Sequence, residues 1–356
     1  MIQVAFNISP LKTGHKTRGV GTYTKNLLNA LQKRSDVQVE EFENLSAVGS
    51  ADIIHYPWFD LFFHTLPFKK KFPTVVTIFD VIPLVFPKQH PLGTKGKINL
   101  FLQRLSLSGC KQIITDSLAS QKDITIYLQQ KVDKIKVIPL AADGHFKVLS
   151  GAKLIGIKNK YHLPDRFILY VGDANYTKNL PVLIESFNKL RLQGFEDLRL
   201  VLVGGVFLKK VDNINHAEIE SLKSVNKLIS QGNFEEFIIR PGQVDTEELV
   251  GFYNLATVYV QPSLYEGFGL PILEAMSCGC PVISSMTSSL PEVAGKAAVF
   301  FDPESSGQLV KVLQEVLIDK SLRIKLSKLG LQQASKFSWE GVVDETIKAY
   351  HQALEI

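Results

Sequence analysis

The stretch ATVYVQPSLYEGFGLPILEAMSCG, Ala256 to Gly279, runs from a short apolar strand pattern through a glycine pair into a second apolar segment with helical spacing. Pro271 suits the first turn of that helix and Gly279 its end. A strand feeding a helix through a polar loop is the building block of a parallel sheet, and the same grammar recurs along the chain. In the first half, strands are predicted at IQVAFNI, VQVEEF, ADIIHY, TVVTIFD, QIITDS and KIKVIPL. In the second they fall at FILYVGD, LRLVLVGG, EFIIRPG, ATVYVQPS, CPVISS and AAVFFDP. The fold class is α/β, with two Rossmann-like, doubly wound parallel sheets expected to face one another across a cleft.

The 356 residues exceed the usual size of one hydrophobic core. The strand pattern loosens through KVLSGAKLIGIKNKYHLPD and restarts at RFILYVGD, which puts the boundary near residues 150 to 165. The expected division is 1–160, 161–335, and a C-terminal helix over 336–356 packing back on the first domain. In that helix Val342, Ile347 and Tyr350 supply an apolar face.

Composition narrows the function classes. With 45% apolar and 21% charged residues the chain is an ordinary globular one. The net charge of +5 is scattered rather than gathered into a nucleic-acid-binding face. No secretory pattern opens the sequence and no window is apolar enough to span a bilayer, so the expectation is a cytoplasmic protein. Cys110, Cys278 and Cys280 lack metal-site spacing and read as small buried residues. His55, His64 and His90 also lack metal spacing, and no Asp-x-Asp pair offers a divalent-ion site. In YPWFDLFFHTLPFKKKFP, the aromatics Trp58, Phe59, Phe62, Phe63 and Phe68 precede Lys69, Lys70 and Lys71. Such a cluster suits either a core-filling loop with solvated lysines or peripheral membrane contact through residues 57–71.

Ligands of open parallel sheets sit beyond the carboxyl ends of the strands, which directs attention to the loops there. Gly267 and Gly269 let the backbone approach a ligand, and a helix start favours an anion such as phosphate. Glu266 precedes the glycines. Glu274 is expected in the first helical turn, where it either holds a pair of ribose hydroxyls or merely complements the helix dipole. Spacing alone leaves both readings open. In VGDANYTKNL a polar loop delivers Lys178 just before a helix, placing a cation that could neutralise a diphosphate. Gly14, Gly19 and Gly21, ahead of the first helix, form a poor dinucleotide fingerprint and fail as a P-loop.

The second half, PGQVDTEELVGFYNLATVYVQPSLYEGFGLPILEAMSCGCPVISSMTSSLPEV, closely resembles the signature of glycosyltransferase family four, whose members are retaining enzymes of the GT-B fold, also described as glycosyl transferases group 1. The likeness extends to VGDANYTKNL, VVTIFDVIPLVFP and KIKVIPLAAD. It implies transfer of a sugar from a nucleotide sugar to an acceptor, with the second domain holding the nucleotide and the first the acceptor. By that resemblance Glu266 contacts the donor sugar and Glu274 the ribose. Lys178 and the backbone at Gly269 and Leu270, next to Phe268, hold the diphosphate, while Arg18, Gly19, Gly21 and Asp80 contribute to donor binding from the first domain.

Likeness to a mannosyltransferase-like subgroup favours GDP-mannose, with UDP-sugars the other donor class, no resident cofactor or metal, and a glycan or lipid-linked acceptor. The family's mechanism implies front-face attack with the leaving phosphate taking the acceptor's proton. Two positions depart from the family: Phe79 stands where many members carry His before the Asp80 position, and Thr177 where many carry Arg before the lysine. The alternatives are a catalytically impaired nucleotide-sugar-binding partner and a nucleotide-sugar epimerase on the same fold.

Overall fold

A computed structural model describes residues 1–14, 19–209 and 217–355. The chain divides into two compact units, Met1–Leu140 with Phe337–Ile356, and Ala141–Lys336. The division falls earlier than near residue 160 because the helix Ala152–Lys160 packs within the second unit. There Ile157 lies against the helix Thr246–Leu255, so close that a Cβ at Gly251 would sit 2.1 Å from Ile157 Cδ1. Lys160 also pairs with Glu248 on that helix.

The first unit holds six strands: β1 (Ile2–Asn7), β2 (Val37–Phe42), β3 (Ile53–Tyr56), β4 (Thr74–Thr77), β5 (Gln112–Thr115) and β6 (Ile135–Val137). Their order is β2-β1-β3-β4-β5-β6, and every pairing is parallel. The central strands β3 and β4 are buried at every position, as β-branched strands covered on both faces must be. At the edge, β2 turns Glu40 and Glu41 outward.

The C-terminal helix Trp339–Glu355 belongs to this unit, burying Val342, Val343, Ile347 and Tyr350. Its Tyr350 hydroxyl is 2.7 Å from Nδ1 of His55, whose Nε2 is 2.9 Å from the Thr77 hydroxyl. Full burial pushes the His55 pKa down to about 3, so the ring is neutral and serves as a core hydrogen-bonding group.

The second unit carries β7 (Phe167–Val171), β8 (Arg199–Val203), β9 (Ile238–Gly242), β10 (Val258–Gln261), β11 (Val282–Ser285) and β12 (Ala298–Phe301). Their order is β12-β11-β10-β7-β8-β9, again all parallel. The order reverses between β7 and β10, so the loops leaving those two strands diverge and open a crevice at their carboxyl ends. Gly204, just past β8, shows how closely backbones pass there: with φ at +157°, a Cβ would lie 2.2 Å from the Gly172 carbonyl oxygen that follows β7. All three cysteines are buried and free. No helix among the described residues is long and apolar enough to cross a membrane.

Candidate active site

The loop after β7 ends in a single turn, Tyr176–Lys178, followed by Asn179 in a left-handed conformation at φ +52°. Asn179 donates through Nδ2 to the carbonyls of Pro262 (3.1 Å) and Pro303 (2.8 Å), and Leu264 N donates to Thr177 O at 2.7 Å. These bonds tie the β7 loop to the β10 loop. As a result Lys178 Nζ sits 2.8 and 2.7 Å from the two carboxylate oxygens of Glu266.

Glu266 is only 8% exposed, and its Oε1 also accepts from Gln261 Nε2 (2.8 Å) and Ser263 Oγ (2.6 Å). Gln261 in turn accepts the buried Tyr259 hydroxyl. A carboxylate that accepts from three side chains, one of them a lysine, is fixed in one orientation. Its backbone is fixed as well, since Glu266 N donates to Ser288 Oγ at 2.9 Å. Ser289 Oγ donates to the carbonyls of Glu266 (3.0 Å) and Phe268 (2.7 Å).

Phe268 is buried, and Gly269 follows at φ +106° as the residue before the helix Leu270–Ser277. A Cβ on Gly269 would lie 2.7 Å from Leu290 Cδ2, so a larger residue is excluded by both conformation and space. Gly269 carries no side chain to cap the helix, Pro271 has no N–H, and Ile272 N donates to Gly269 O at 3.0 Å, so the Leu270 N–H is the first-turn donor that suits an anion.

Glu274 falls in the second turn of this helix rather than the first, because the helix starts at Leu270, one residue before Pro271. The dipole reading loses force at that distance from the N-terminus. Glu274 Oε2 instead accepts the hydroxyl of the fully buried Tyr253 at 2.9 Å. Burial pushes its pKa up to about 7, against the opposing effect of the Tyr253 hydrogen bond.

In the first unit, Gly19 and Gly21 lie inside the helix Gly19–Leu31 rather than ahead of it. Neither needs a special backbone conformation. Arg18 lies outside the described residues. Asp80 Oδ1 accepts from Ile82 N at 2.9 Å and so steadies the start of the short helix Ile82–Val85. Phe79 packs edge-on against Tyr23, with ring centroids 4.9 Å apart.

Lys178 and Glu266 are thus joined directly, whereas Glu274 pairs with a tyrosine and Asp80 with backbone. Gln261, Ser263, Ser288, Ser289 and Tyr253 escaped the sequence reading. Only Gln261 left a signal there, as a polar residue ending an otherwise apolar strand. Among the described residues no cluster of three or more His, Cys, Asp or Glu side chains could hold a metal ion.

The family described as "Glycosyl transferases group 1" matches residues 157–333. The chain is 33% identical over 279 residues to O-antigen chain mannosyltransferase B of Escherichia coli, covering 78% of this chain and 69% of that protein. It is 29% identical over 286 residues to the serotype-specific mannosyltransferase WbdA of the same species, covering 79% of this chain but only 34% of that longer protein. In fold it is similar to sucrose-phosphate synthase from Thermosynechococcus elongatus, with a TM-score of 0.75 at 18% identity over 99% of each chain. The two parallel six-stranded sheets are those of the GT-B fold. The chain belongs to the group 1 glycosyltransferases and is similar to mannosyltransferases within them.

Proposed function

We propose that the protein is a retaining glycosyltransferase that moves a hexose, with mannose from GDP-mannose the favoured donor, to a glycan or lipid-linked acceptor. The observation that carries this reading is the Lys178–Glu266 pair at the switch point of the second sheet, beside a helix start without a side-chain cap. Breaking a sugar–phosphate bond builds positive charge at the anomeric carbon and negative charge on the diphosphate. A fixed carboxylate and a lysine with N–H donors match the two. The mannosyltransferase names of the relatives support the choice of sugar.

In this reading Lys178, with the backbone at Gly269 and Leu270, holds the diphosphate, and Glu266 lies at the donor sugar. Glu274, in its ionised form, accepts the ribose hydroxyls. Gly19, Gly21, Arg18 and Asp80 are proposed to add donor contacts from the first unit. The anomeric carbon loses its bond to the phosphate oxygen and gains one to the acceptor oxygen on the same face. The acceptor's proton passes to the departing phosphate. Residues 57–71 are proposed to make peripheral contact with a membrane.

Glu266→Ala is expected to abolish transfer while leaving nucleotide binding nearly intact, and Glu274→Ala to weaken nucleotide binding. Calorimetry with GDP and UDP, beside product analysis from a donor panel, separates these effects. Equal turnover by the wild type and the Glu266 variant sinks the assignment. Phe79, given over to packing on Tyr23, favours a second reading as a nucleotide-sugar-binding partner protein. Tight donor binding with neither nucleotide release nor transfer would establish that second reading instead.

A further inference from the structure

Between Asp60 and Asp116 the sequence carries eight basic residues, Lys69, Lys70, Lys71, Lys88, Lys95, Lys97, Arg104 and Lys111, against the single acid Asp80. Eight against one makes that segment +7, more than the +5 of the whole chain. The helix Thr94–Ser108 within it is turned in an unusual way. Its buried face includes Gln103 and Ser106, while Ile98, Phe101 and Leu105 are all at least half exposed. Those three stand at i, i+3 and i+7 and form one stripe. Lys95 and Lys97 are exposed one turn before Ile98 and Phe101.

Leu100 and Leu107 share the buried face and join the core, while the polar residues there hold the preceding loop. Gln103 Nε2 donates to the carbonyls of Asp60 and Phe63 and to the Thr65 hydroxyl, and Asn99 Nδ2 donates to Phe62 O at 2.7 Å. These bonds lash the loop after β3 to the helix. They leave Phe63 and Phe68 exposed beside it, with the Phe68 ring 5.0 Å from that of His64. The rest of the aromatic cluster is taken up inside, because Phe59 and Phe62 pack against the core. Lys70 and Lys71 are partly taken up too, their ammonium groups donating to the carbonyls of Pro67 and Val48. Asp60 spends its carboxylate on the Phe62 and Phe63 N–H groups.

We infer that the stripe Ile98, Phe101 and Leu105, with Phe63 and Phe68 and a rim of Lys69, Lys95 and Lys97, docks on an anionic lipid bilayer. Protruding apolar side chains enter the headgroup region while lysines around them meet lipid phosphates. Charge complementarity selects a bilayer over a protein partner. A protein surface offers both signs of charge, and this rim offers one. The inference rests on the peripheral contact proposed for residues 57–71 and shifts its weight onto the helix.

Flotation of the purified protein tests it with vesicles of phosphatidylglycerol and phosphatidylcholine at roughly 30:70 and of phosphatidylcholine alone, at low and raised salt. Analytical ultracentrifugation of the free protein accompanies it. The wild type is expected to float with the anionic vesicles only, and less at raised salt. Each lysine near an anionic surface is worth about a factor of five, so Lys95→Glu with Lys97→Glu should cut partitioning at least about tenfold. Ile98→Glu with Phe101→Glu should do the same, while Leu192→Glu, an exposed residue of the second unit, should change nothing. Circular dichroism and GDP or UDP binding verify that the variants fold.

Absence of wild-type flotation overturns both this inference and the contact proposed for residues 57–71. Flotation lost in Phe63→Glu with Phe68→Glu but kept in the helix variants overturns the helix assignment alone. Equal binding to neutral vesicles overturns the anionic requirement. A dimer that Phe101→Glu converts to monomer, without vesicle binding, assigns the face to a second copy of the chain and overturns the inference.

Discussion

Raising the pH from 4.5 to 7 should remove stability from the second unit through Glu274 alone. The carboxyl group carries an ordinary value of 4.5 in the unfolded chain and about 7 in the folded one. Across that window the unfolded chain gives up the proton first and the folded chain keeps it, so unfolding is favoured as pH rises. The contribution is fully present below 4.5 and lost as pH rises through about 7. An interval of about 2.5 units at 1.36 kcal/mol each gives on the order of 3 kcal/mol, an upper figure because Glu274 is partly exposed.

Glu274→Gln keeps an acceptor for the Tyr253 hydroxyl and has no proton to lose. Urea unfolding followed by far-ultraviolet circular dichroism, at steps of about one unit from pH 4.5 to 7.5, therefore reads the stability of the wild type relative to the variant. That relative stability should fall steadily with pH. A difference that stays flat across the window refutes the reasoning. If ribose hydroxyls bind the ionised carboxylate, nucleotide binding at about pH 7 should also release about half a proton. Calorimetry in buffers of different ionisation enthalpy measures that release.

Two further substitutions probe the frame of each unit. Gly204→Ala places a methyl group against the Gly172 carbonyl and forces alanine to a positive φ. It should cost about 3 kcal/mol or more and lower Tm by at least about 6 °C in a thermal melt; an unchanged melt would contradict the close backbone approach. Tyr350→Phe leaves His55 Nδ1 without its buried partner and should cost about 1–3 kcal/mol. Since the change is confined to the first unit, affinity for the free nucleotide should stay the same, and a loss there would argue against holding the nucleotide in the second unit.

Strands were the legible part of this chain. Runs such as FILYV and LVLV are apolar at every position because both sheet faces are covered, and each of the twelve expected strands has a counterpart. Two helices that the sequence reading does not pick out have burial that runs against composition. Ala152–Lys160 buries no residue fully, so its pattern looks like a linker. Thr94–Ser108 hides a glutamine and a serine beside Leu100 and Leu107 and shows a phenylalanine, which blurs the usual amphipathic signal. At the site, Lys178 and Glu266 stand out as charged residues in loops at strand ends, but their contact spans 88 positions of sequence and depends on Asn179 adopting a left-handed turn. Tyr253 lies on another helix and reaches Glu274 only through the fold.

The return of Trp339–Glu355 to the first unit also sets an order of assembly. The second unit is one unbroken segment, so during synthesis every residue it needs has been made before that helix is complete. The first unit waits. Until the helix arrives with Tyr350, the core around His55 lacks its last layer, and that unit carries an exposed apolar face while the inserted unit is already closing. The making of that helix, rather than of β6, is then the event that completes the first unit's core.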